Sequence, residues 1–277
     1  MADMIMVLTS ANGVSDEQVA AALMGLDSRA PRRLSACAVD VALRGAPPAV
    51  ALAGVDVNFV PSENRAKKLL IADMDSTIIP VECIDELADF AGVKAQISEI
   101  TEIAMRGEMG FEESLEARVA LLKGLEVAAL DRAYAERISL NPGARDMVQA
   151  MNAQGAYTAL VSGGFTYFTE KVSADAGFQH NRANTLNMAA GVLDGTVGKP
   201  ILGREAKLAA MNELCAARGI SRADVIAVGD GANDLAMIEG AGLGVAYHAK
   251  PALRAQADAV LDHSDLSALL ALQGITA

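Results

Sequence analysis

Residues Leu69 to Ile79 read L-L-I-A-D-M-D-S-T-I-I, an apolar run that leads directly into two carboxylates, Asp73 and Asp75. Inside an apolar core both carboxylates would carry a large desolvation cost unless they were paired or bound to a metal. At the carboxyl end of a strand in an open parallel sheet, the same pair is well placed to bind a metal and a ligand. This stretch therefore predicts a buried strand that ends in a reactive pair of aspartates.

The composition indicates a soluble globular protein. The chain has 277 residues, of which 52% are hydrophobic, and this is enough for one large domain, a smaller one and a substantial core. Its net charge of −12 argues against nucleic acid or an anionic membrane surface as the main partner. We therefore expect a small-molecule partner.

Cysteine usage and hydropathy indicate a cytoplasmic location. Cys37, Cys83 and Cys215 are far apart and form no C-x-x-C pair, which favours structural thiols over disulfides or a zinc site. The N-terminus carries Asp3 and lacks the basic region of a signal peptide. No stretch approaches the roughly 18 uninterrupted apolar residues that a membrane span needs.

From Leu69 onward the pattern alternates strands and helices, which predicts an α/β fold with a doubly wound, Rossmann-like parallel sheet. The predicted strands are Leu69–Ala72, Tyr157–Val161, Val225–Val228, Leu243–Ala246 and Ala259–Leu261. The segment from about Val81 to Leu140 is strongly helical, and we expect it to form a cap over the aspartate pair. Residues Asn181–Val197 read as a β-hairpin excursion.

Residues 1–66 are predicted to form a small separate α+β unit, and residues 67–277 the main domain. Within the small unit, Met4–Leu8, Leu34–Leu43 and Val50–Val60 read as strands, and Ser15–Leu26 as a helix. Gly45-Ala46-Pro47-Pro48 predicts a break. We find no catalytic cluster in this unit.

Four polar clusters are predicted at strand ends or helix starts of the α/β domain. They are Asp73–Thr77, Val161-Ser162-Gly163-Gly164-Phe165, Lys207 on a helix that begins near Arg204, and Gly229-Asp230-Gly231-Ala232-Asn233-Asp234. Carboxylate-rich clusters suit Mg²⁺, which prefers oxygen ligands. An ammonium, a hydroxyl and free backbone amides suit a phosphoryl group. Lys199 and Arg204 are alternatives for the cation, and the spacing to Asp230 favours Lys207.

These clusters resemble the haloacid dehalogenase-type phosphohydrolase superfamily from about Leu69 to the C-terminus. Within it, the motifs D-M-D-S-T, S-G-G-F-T, G-D-G-A-N-D and G-V-A-Y-H-A-K-P, with Glu82 and Arg118, are similar to those of the phosphoserine phosphatase family. Ala72 departs from the bulkier residue that often precedes the first aspartate. The resemblance implies Mg²⁺-dependent hydrolysis of O-phosphoserine, the last step of serine biosynthesis.

The resemblance also implies a role for each matching residue. Asp73 would attack phosphorus, and Asp75 would carry the protons. Mg²⁺ would be held by Asp73, Asp230 and the backbone carbonyl of Asp75. The remaining phosphate-site residues, in contact or supporting positions, would be Ser162, Gly163, Lys207, Asn233, Thr77 and Asp234.

Four residues of the predicted cap would bind the amino-acid part of the substrate. Glu82 would pair with the ammonium and Arg118 with the carboxylate, for which its planar fork is suited. Met105 and Phe111 would form an apolar wall. Taken alone, Glu82 and Arg118 read as charges on a helix surface, and Met105 and Phe111 read equally well as core residues of the cap.

Two other functions remain open from the sequence. A related phosphatase or phosphotransferase could act on phosphohomoserine or phosphothreonine, because a methyl or methylene difference changes binding by only about 1–3 kcal/mol. A non-catalytic serine-sensing regulator is the second alternative. The N-terminal unit resembles an ACT-like regulatory domain by position. We interpret it as a degenerate dimerisation or docking module, with a homodimer as one outcome, and an amino-acid-sensing site is the alternative.

Overall fold

The computed structural model describes residues 4–45 and 49–276, apart from the side chain of Met105. Within these ranges the N-terminal unit contains four strands and one helix. The elements are β1 (Met4–Thr9), α1 (Asp16–Leu23), β2 (Arg32–Ser35), β3 (Ala38–Leu43) and β4 (Asp56–Pro61). The sheet is antiparallel with strand order β2-β3-β1-β4, so the first strand of the chain lies inside it.

Helix α1 packs against this sheet. Ser15 caps the helix, since its hydroxyl accepts a hydrogen bond from the backbone of Gln18, whose side chain accepts one from the backbone of Ser15. Val19 of the helix packs with Met6 and Leu8 of β1 in a small apolar core. The helix thus starts where the sequence predicts, one residue after its cap.

Two predicted strands of this unit are shorter in the structure. The run 34–43 is interrupted at Ala36 and Cys37, where the chain turns between β2 and β3. The run 50–60 becomes a strand only at Asp56, because residues 52–55 form a turn around Gly54, whose φ is +70°. The predicted break at 45–48 falls mostly on residues 46–48, which lie outside the described ranges.

From Leu69 onward, strands and helices alternate. The strands are β5 (Leu69–Ala72), β6 (Tyr157–Phe165), β7 (His180–Asn184), β8 (Leu186–Ala189), β9 (Val192–Val197), β10 (Val225–Gly229), β11 (Leu243–Tyr247) and β12 (Ala259–Leu261). The helices are α2 (Cys83–Ala91), α3 (Lys94–Met105), α4 (Phe111–Ala120), α5 (Val127–Arg137), α6 (Ala144–Ala153), α7 (Thr166–Ala176), α8 (Arg204–Arg218), α9 (Leu235–Gly240), α10 (Pro251–Arg254) and α11 (Ala268–Leu272). No helix in the described part of the chain has both the length and the apolar character that crossing a bilayer requires.

Six of these strands form a parallel sheet in the order β12-β11-β10-β5-β6-β7. Strand β5 is central and pairs with β10 on one side and β6 on the other. All four of its residues are fully buried, as expected for a strand covered on both faces. The predicted α/β sheet is therefore confirmed, and the carboxyl ends of β5, β6 and β10 lie at one edge.

One predicted element is partly wrong. The segment 181–197 reads as a hairpin, but His180–Asn184 is the sixth strand of the large sheet, and only β8 and β9 form the hairpin. Strand β7 is an edge strand with the polar sequence H-N-R-A-N. Because it lacks the apolar run of the central strands, its sequence does not indicate that it belongs to the large sheet.

The cap consists of helices α2 to α5 between β5 and β6, as the sequence predicts. Its last part is attached to the main domain through the β8–β9 hairpin. The backbone N–H groups of Gly124 and Val127 donate to the carbonyls of Leu193 and Gly191, at 2.9 and 3.0 Å, and Leu193 donates to Leu125 at 2.8 Å. The segment 124–127 is thus added to the hairpin like a third strand.

Buried polar groups join the N-terminal unit to the main domain. Asp56 of β4 accepts hydrogen bonds from the backbone of Asp262 and His263 and from the hydroxyl of Ser264. The side-chain amide of Asn58 donates to the carbonyl of Val260 at 2.9 Å and accepts from its N–H at 2.8 Å. Asn58 therefore occupies the outer hydrogen-bonding edge of β12.

A second connection is made by Arg65 in the linker. Its guanidinium donates to Asp40 of β3 at 2.6 Å and to the carbonyls of Ala271 and Leu272 at the end of α11. Arg32 donates to the same carboxylate from β2. The linker thus ties the small sheet to the last helix of the chain.

Candidate active site

Asp73 lies immediately after β5, at the open edge of the large sheet. Its backbone N–H donates to the carbonyl of Val228 in β10 at 3.0 Å, which fixes the end of the strand. The chain then turns sharply over Met74–Ile78, with Ser76 in the left-handed region at a φ of 55°. The N–H of Met74 donates to Asp73 Oδ1 at 2.7 Å, so one carboxylate oxygen is held by the turn itself.

Lys207 joins Asp73 to Asp234. Its Nζ lies 2.7 Å from Asp73 Oδ2 and 2.6 Å from Asp234 Oδ1, and all three side chains are buried. Of the cations proposed from the sequence, Lys199 instead forms an exposed ion pair with Glu116. The position of Lys207 on α8 thus brings it to the end of β5.

Asp234 holds the loop after β10. Its Oδ2 accepts hydrogen bonds from the backbone N–H groups of Asp230 and Gly231, both at 3.2 Å. A Cβ at Gly229 would lie 2.4 Å from Asp234 Cγ, so the backbone can approach this carboxylate only where the residue is glycine. Asp234 therefore positions both Lys207 and the loop that carries Asp230.

The electrostatics of this cluster are dominated by burial. Burial and the neighbouring Asp234 raise the pKa of Asp73, against the opposing charge of Lys207. Burial also raises the pKa of Asp230 to about 6, with Asp234 adding to the effect. For Lys207, burial is outweighed by Asp234 and Asp73, and its pKa lies above the usual value. A cation between Asp73 and Asp230 would relieve this excess of negative charge.

Asp75 is held beside the entrance of the cap. Its Oδ1 accepts a hydrogen bond from the N–H of Cys83 at 3.1 Å, and its Oδ2 lies 3.5 Å from the hydroxyl of Ser162. Burial, with a smaller contribution from the charge of Glu82, raises the pKa of Asp75 to about 7. A carboxyl group with this pKa can both donate and accept a proton near neutral pH.

The ends of β6 and β10 supply further polar side chains, Ser162 and Asn233, close to the two aspartates. The Ser162 hydroxyl is buried and accepts a hydrogen bond from the N–H of Gly164 at 2.8 Å. The amide nitrogen of Asn233 lies 3.4 Å from Asp73 Oδ2. Thr77 is fully buried, and its hydroxyl has no hydrogen-bond partner among the described residues.

A cavity of about 290 Å³ lies between the sheet edge and the cap, and the two aspartates, Ser162 and Asn233 line it. Glu82, at the start of α2, accepts a hydrogen bond from the Ser76 hydroxyl at 2.7 Å. Arg118 on α4 is half-buried, and its Nε donates to the carbonyl of Ser114 at 3.2 Å. The lining residues are Asp73, Asp75, Glu82, Ile84, Asp85, Thr101, Phe111, Leu115, Arg118, Ser162, Gly163, Gly164, Phe165, Asp230, Asn233 and Lys250.

Phe111 closes one side of this cavity. A Cβ built on Gly163 would lie 3.3 Å from its ring and one on Gly203 3.4 Å, so the ring lies against both loops. Met105 is the last residue of α3, and its side chain lies outside the described part of the structure. Apart from Met105, Thr77, Lys207 and Asp234, every site residue proposed from the sequence lines the cavity.

The residues present fit a divalent cation. Asp73, Asp230 and Asp234 can each place one carboxylate oxygen within 4.8 Å of the others. Asp234 is occupied by Lys207 and two backbone amides, whereas the Asp230 carboxylate accepts no hydrogen bond from the residues that the structure describes. These ligands are all oxygen atoms, and the Asp230 carboxylate can still accept a cation, so the site suits a hard metal ion.

Sequence reasoning missed two charged residues of the cavity, Asp85 and Lys250. Asp85 lies one helical turn after Glu82, so helical spacing could have placed it on the same face. Lys250 follows strand β11, and its N–H donates to the carbonyl of Asp230 at 2.9 Å. The strand-end argument used for the other clusters could have found it.

Comparison with known proteins defines the class of this site. The family model described as haloacid dehalogenase-like hydrolase matches residues 70–239. The chain belongs to the haloacid dehalogenase-like hydrolases, and the fold predicted from the four clusters is confirmed.

Within this class the sequence falls in the phosphoserine phosphatase family. A phosphoserine phosphatase from Polaromonas sp. is 49% identical over 210 residues, which cover 74% of this chain and 89% of the relative. A solved structure described as a substrate-bound phosphoserine phosphatase complex has a TM-score of 0.69 at 38% identity and covers 74% of this chain and 97% of its own.

A third similarity extends over the N-terminal unit. The crystal structure of a HAD family hydrolase from Salmonella enterica serovar Typhi has a TM-score of 0.84 at 29% identity. It covers 97% of this chain and 98% of the solved one. The small sheet and the main domain thus occur together in that protein as well.

Proposed function

We propose that the protein is a Mg²⁺-dependent phosphatase that hydrolyses O-phosphoserine to serine and phosphate. The observation that carries this proposal is the buried ion pairing of Lys207 with Asp73 and Asp234, because Asp73 also lines a cavity that contains Glu82 and Arg118. The 49% identity to a phosphoserine phosphatase supports this substrate. The reaction is the last step of serine biosynthesis.

In the first step Asp73 attacks phosphorus, and the bond from phosphorus to the serine oxygen breaks. Asp75 gives its proton to that oxygen, and serine leaves. The product on the enzyme is an aspartyl-phosphate at Asp73. The pKa of about 7 supports Asp75 in this role, since a useful fraction of the group is protonated at neutral pH.

In the second step water attacks the aspartyl-phosphate and gives a proton to Asp75. Phosphate leaves, and the Asp73 carboxylate and the protonated Asp75 are both restored. Lys207, the Ser162 hydroxyl, the backbone of Gly163 and the Asn233 amide stabilise the phosphoryl oxygens as charge develops on them.

Mg²⁺ would be held by Asp73, Asp230 and the backbone carbonyl of Asp75, and when bound it neutralises charge on the phosphoryl group. Asp234 keeps Lys207 and the Asp230 loop in position. Thr77 supports the turn that carries Asp75, since its carbonyl accepts a hydrogen bond from Asn141 at 2.7 Å.

The cap residues select the amino acid. Glu82 pairs with the substrate ammonium and Arg118 with its carboxylate, while Phe111 forms the apolar wall, to which the family resemblance also assigns Met105. Phosphohomoserine and phosphothreonine are the nearest competing substrates, because each carries a carboxylate that Arg118 could bind and differs from O-phosphoserine by only a methyl or methylene group.

A phosphate-release assay with these three esters and p-nitrophenyl phosphate, with and without Mg²⁺, tests the proposal. We expect O-phosphoserine to have the highest kcat/KM and chelation to abolish activity. Equal kcat/KM for all four esters would contradict the assigned substrate.

The Arg118→Ala variant tests the substrate assignment at one residue. A charge-assisted hydrogen bond contributes about 1.5–3 kcal/mol, so kcat/KM for O-phosphoserine should fall roughly 10- to 150-fold. Turnover of p-nitrophenyl phosphate, which has no carboxylate, should change much less. Equal losses of kcat/KM on both substrates would show that Arg118 does not recognise the substrate carboxylate.

We further propose that residues 1–66 and 67–277 are separate domains. A homodimer formed through the N-terminal domain is also a proposal, and light scattering at several protein concentrations would test it. A monomer at all concentrations would contradict the homodimer. The N-terminal domain would then act only within its own chain, through contacts such as those of Asp56, Asn58 and Arg65.

A further inference from the structure

Asp85 is a carboxylate of the substrate cavity that the proposed mechanism does not use. It lies on α2 one turn after Glu82 and lines the same cavity as Arg118. Its side chain is half-buried, and within the described ranges it makes no hydrogen bond or ion pair. Partial burial of a carboxylate costs desolvation free energy unless a cation lies nearby. The charged groups around Asp85 therefore indicate its role.

Arg118 is the cation that acts most strongly on Asp85. Burial and the charge of Glu82 raise the pKa of Asp85, and Arg118 is the largest influence in the other direction. In return, Asp85 is the strongest attractive charge acting on Arg118, ahead of Glu82 and Asp75. Both side chains line the same cavity, and they form no direct ion pair among the residues that the structure describes.

The guanidinium of Arg118 is only partly fixed by its own helix. Its Nε donates to the carbonyl of Ser114, one turn earlier on α4, while its two terminal nitrogens make no hydrogen bond to any residue that the structure describes. A long side chain held at one atom retains rotational freedom, and bidentate binding of a carboxylate requires the fork to be oriented in advance.

We propose that Asp85 is a positioning residue for Arg118: its charge orients the guanidinium toward the place where the substrate carboxylate binds. The inference rests on the proposed function, because it presupposes a substrate with a carboxylate. The charge interaction between Asp85 and Arg118 would thus couple helix α2 to helix α4.

Three phosphate esters separate this role from its alternatives. O-Phosphoserine carries both an ammonium and a carboxylate, 3-phosphonooxypropanoate carries only the carboxylate, and 2-aminoethyl phosphate carries only the ammonium. The variants are Asp85→Asn, Arg118→Ala and the double variant, measured with Mg²⁺ in the full-length chain. Asp89→Asn is the matched control, because Asp89 lies one turn further on α2, is exposed and pairs with Arg137 at 3.8 Å.

We expect Asp85→Asn to lower kcat/KM roughly tenfold for the two esters with a carboxylate, equivalent to about 1.4 kcal/mol, and less than twofold for 2-aminoethyl phosphate. The loss should appear mainly in KM. In the Arg118→Ala background Asp85→Asn should cause little further loss, since the group it orients is gone. Asp89→Asn should behave as the wild type.

Two results would overturn the proposal. Losses confined to the two ammonium-bearing esters would mean that Asp85 binds the ammonium directly. Equal losses on all three esters would mean that Asp85 only maintains the cap. A wild-type enzyme without preference for O-phosphoserine would instead refute the proposed function, and the role of Asp85 would fall with it.

Discussion

Lys207 is fully buried between Asp73 and Asp234, so its removal should affect both chemistry and folding. We expect Lys207→Met to lower kcat at least about 100-fold, as found when one preorganised donor to a developing charge is removed. In the absence of Mg²⁺ it should also destabilise the fold by about 3–5 kcal/mol, because two buried carboxylates lose their cation. Activity assays and urea unfolding would measure the two effects.

Lys199→Met provides the control for this variant. Lys199 pairs with Glu116 at the surface, and exposed ion pairs contribute only about 0–1 kcal/mol. If Lys207→Met retained more than half of the wild-type kcat, Lys207 would have no role in stabilising the transferring phosphoryl group.

At the level of residues, the sequence predicts the strand-end groups well because a short motif fixes each of them. Asp73, Ser162 and Asp230 each follow an apolar run, and parallel strands bring those ends together. Asp85 was not predicted, since a carboxylate on a helix is usually solvated and only the folded cap places it in the same cavity as Arg118. The exact pairing of Lys207 with two carboxylates also depended on tertiary structure.

At the level of elements, the cap is attached to the main domain unevenly. Its last part pairs with the β8–β9 hairpin, and on α5 Tyr134 and Asp131 hydrogen-bond to Asp175 and Tyr167 of α7. Helix α4 also packs against β9, and its Phe111 lies against the loops at Gly163 and Gly203. The sequence indicated a helical cap, but these attachments join segments far apart in the chain and left no local signal.

Two glycines of the hairpin allow the cap attachment to be tested. Gly191 and Gly195 have φ values of +82° and +85°, so alanine at either position costs about 1–2 kcal/mol of backbone strain. A Cβ at Gly195 would also lie 2.9 Å from Cβ of Lys123 in the cap, whereas at Gly191 nothing lies within 4 Å. We expect Gly195→Ala to be the more destabilising by about 1 kcal/mol or more.

The same pair of variants should differ in catalysis. A displaced Lys123 shifts the end of α4, which carries Arg118, so Gly195→Ala should raise KM for O-phosphoserine while Gly191→Ala leaves it near the wild-type value. Urea unfolding and steady-state kinetics measure the two differences. Identical behaviour of the two variants would show that the hairpin does not hold the cap in place.

At the level of the whole molecule, Asp40 makes stability depend on pH. Burial would raise its pKa, but hydrogen bonds from Arg32 and Arg65 outweigh burial and lower it. Because the folded pKa is below the unfolded value of about 3.9, the stabilisation is complete above that pH and is lost as the pH falls through the folded pKa. The joint between the two units should therefore weaken in acid.

Asp40→Asn should remove this contribution. At pH 7 we expect a loss of about 1.5–3 kcal/mol in the free energy of unfolding, the range for hydrogen bonds to a charged group. Below about pH 4 the variant should lose less stability with falling pH than the wild type does. Asp27→Asn is the control, since its pair with Arg44 is 3.6 Å long and exposed. Parallel pH profiles for Asp40→Asn and the wild type would contradict the prediction.

The contact between Asn58 and β12 has a consequence for any shortened form of this chain. Strand β12 ends the large sheet, and Asn58 satisfies both the N–H and the carbonyl of Val260 on its outer side. A truncated chain that starts at Leu69 would leave this edge bare, and a bare strand edge is a template for pairing with another chain. We therefore expect the excised phosphatase region to aggregate edge to edge where the full chain remains dispersed.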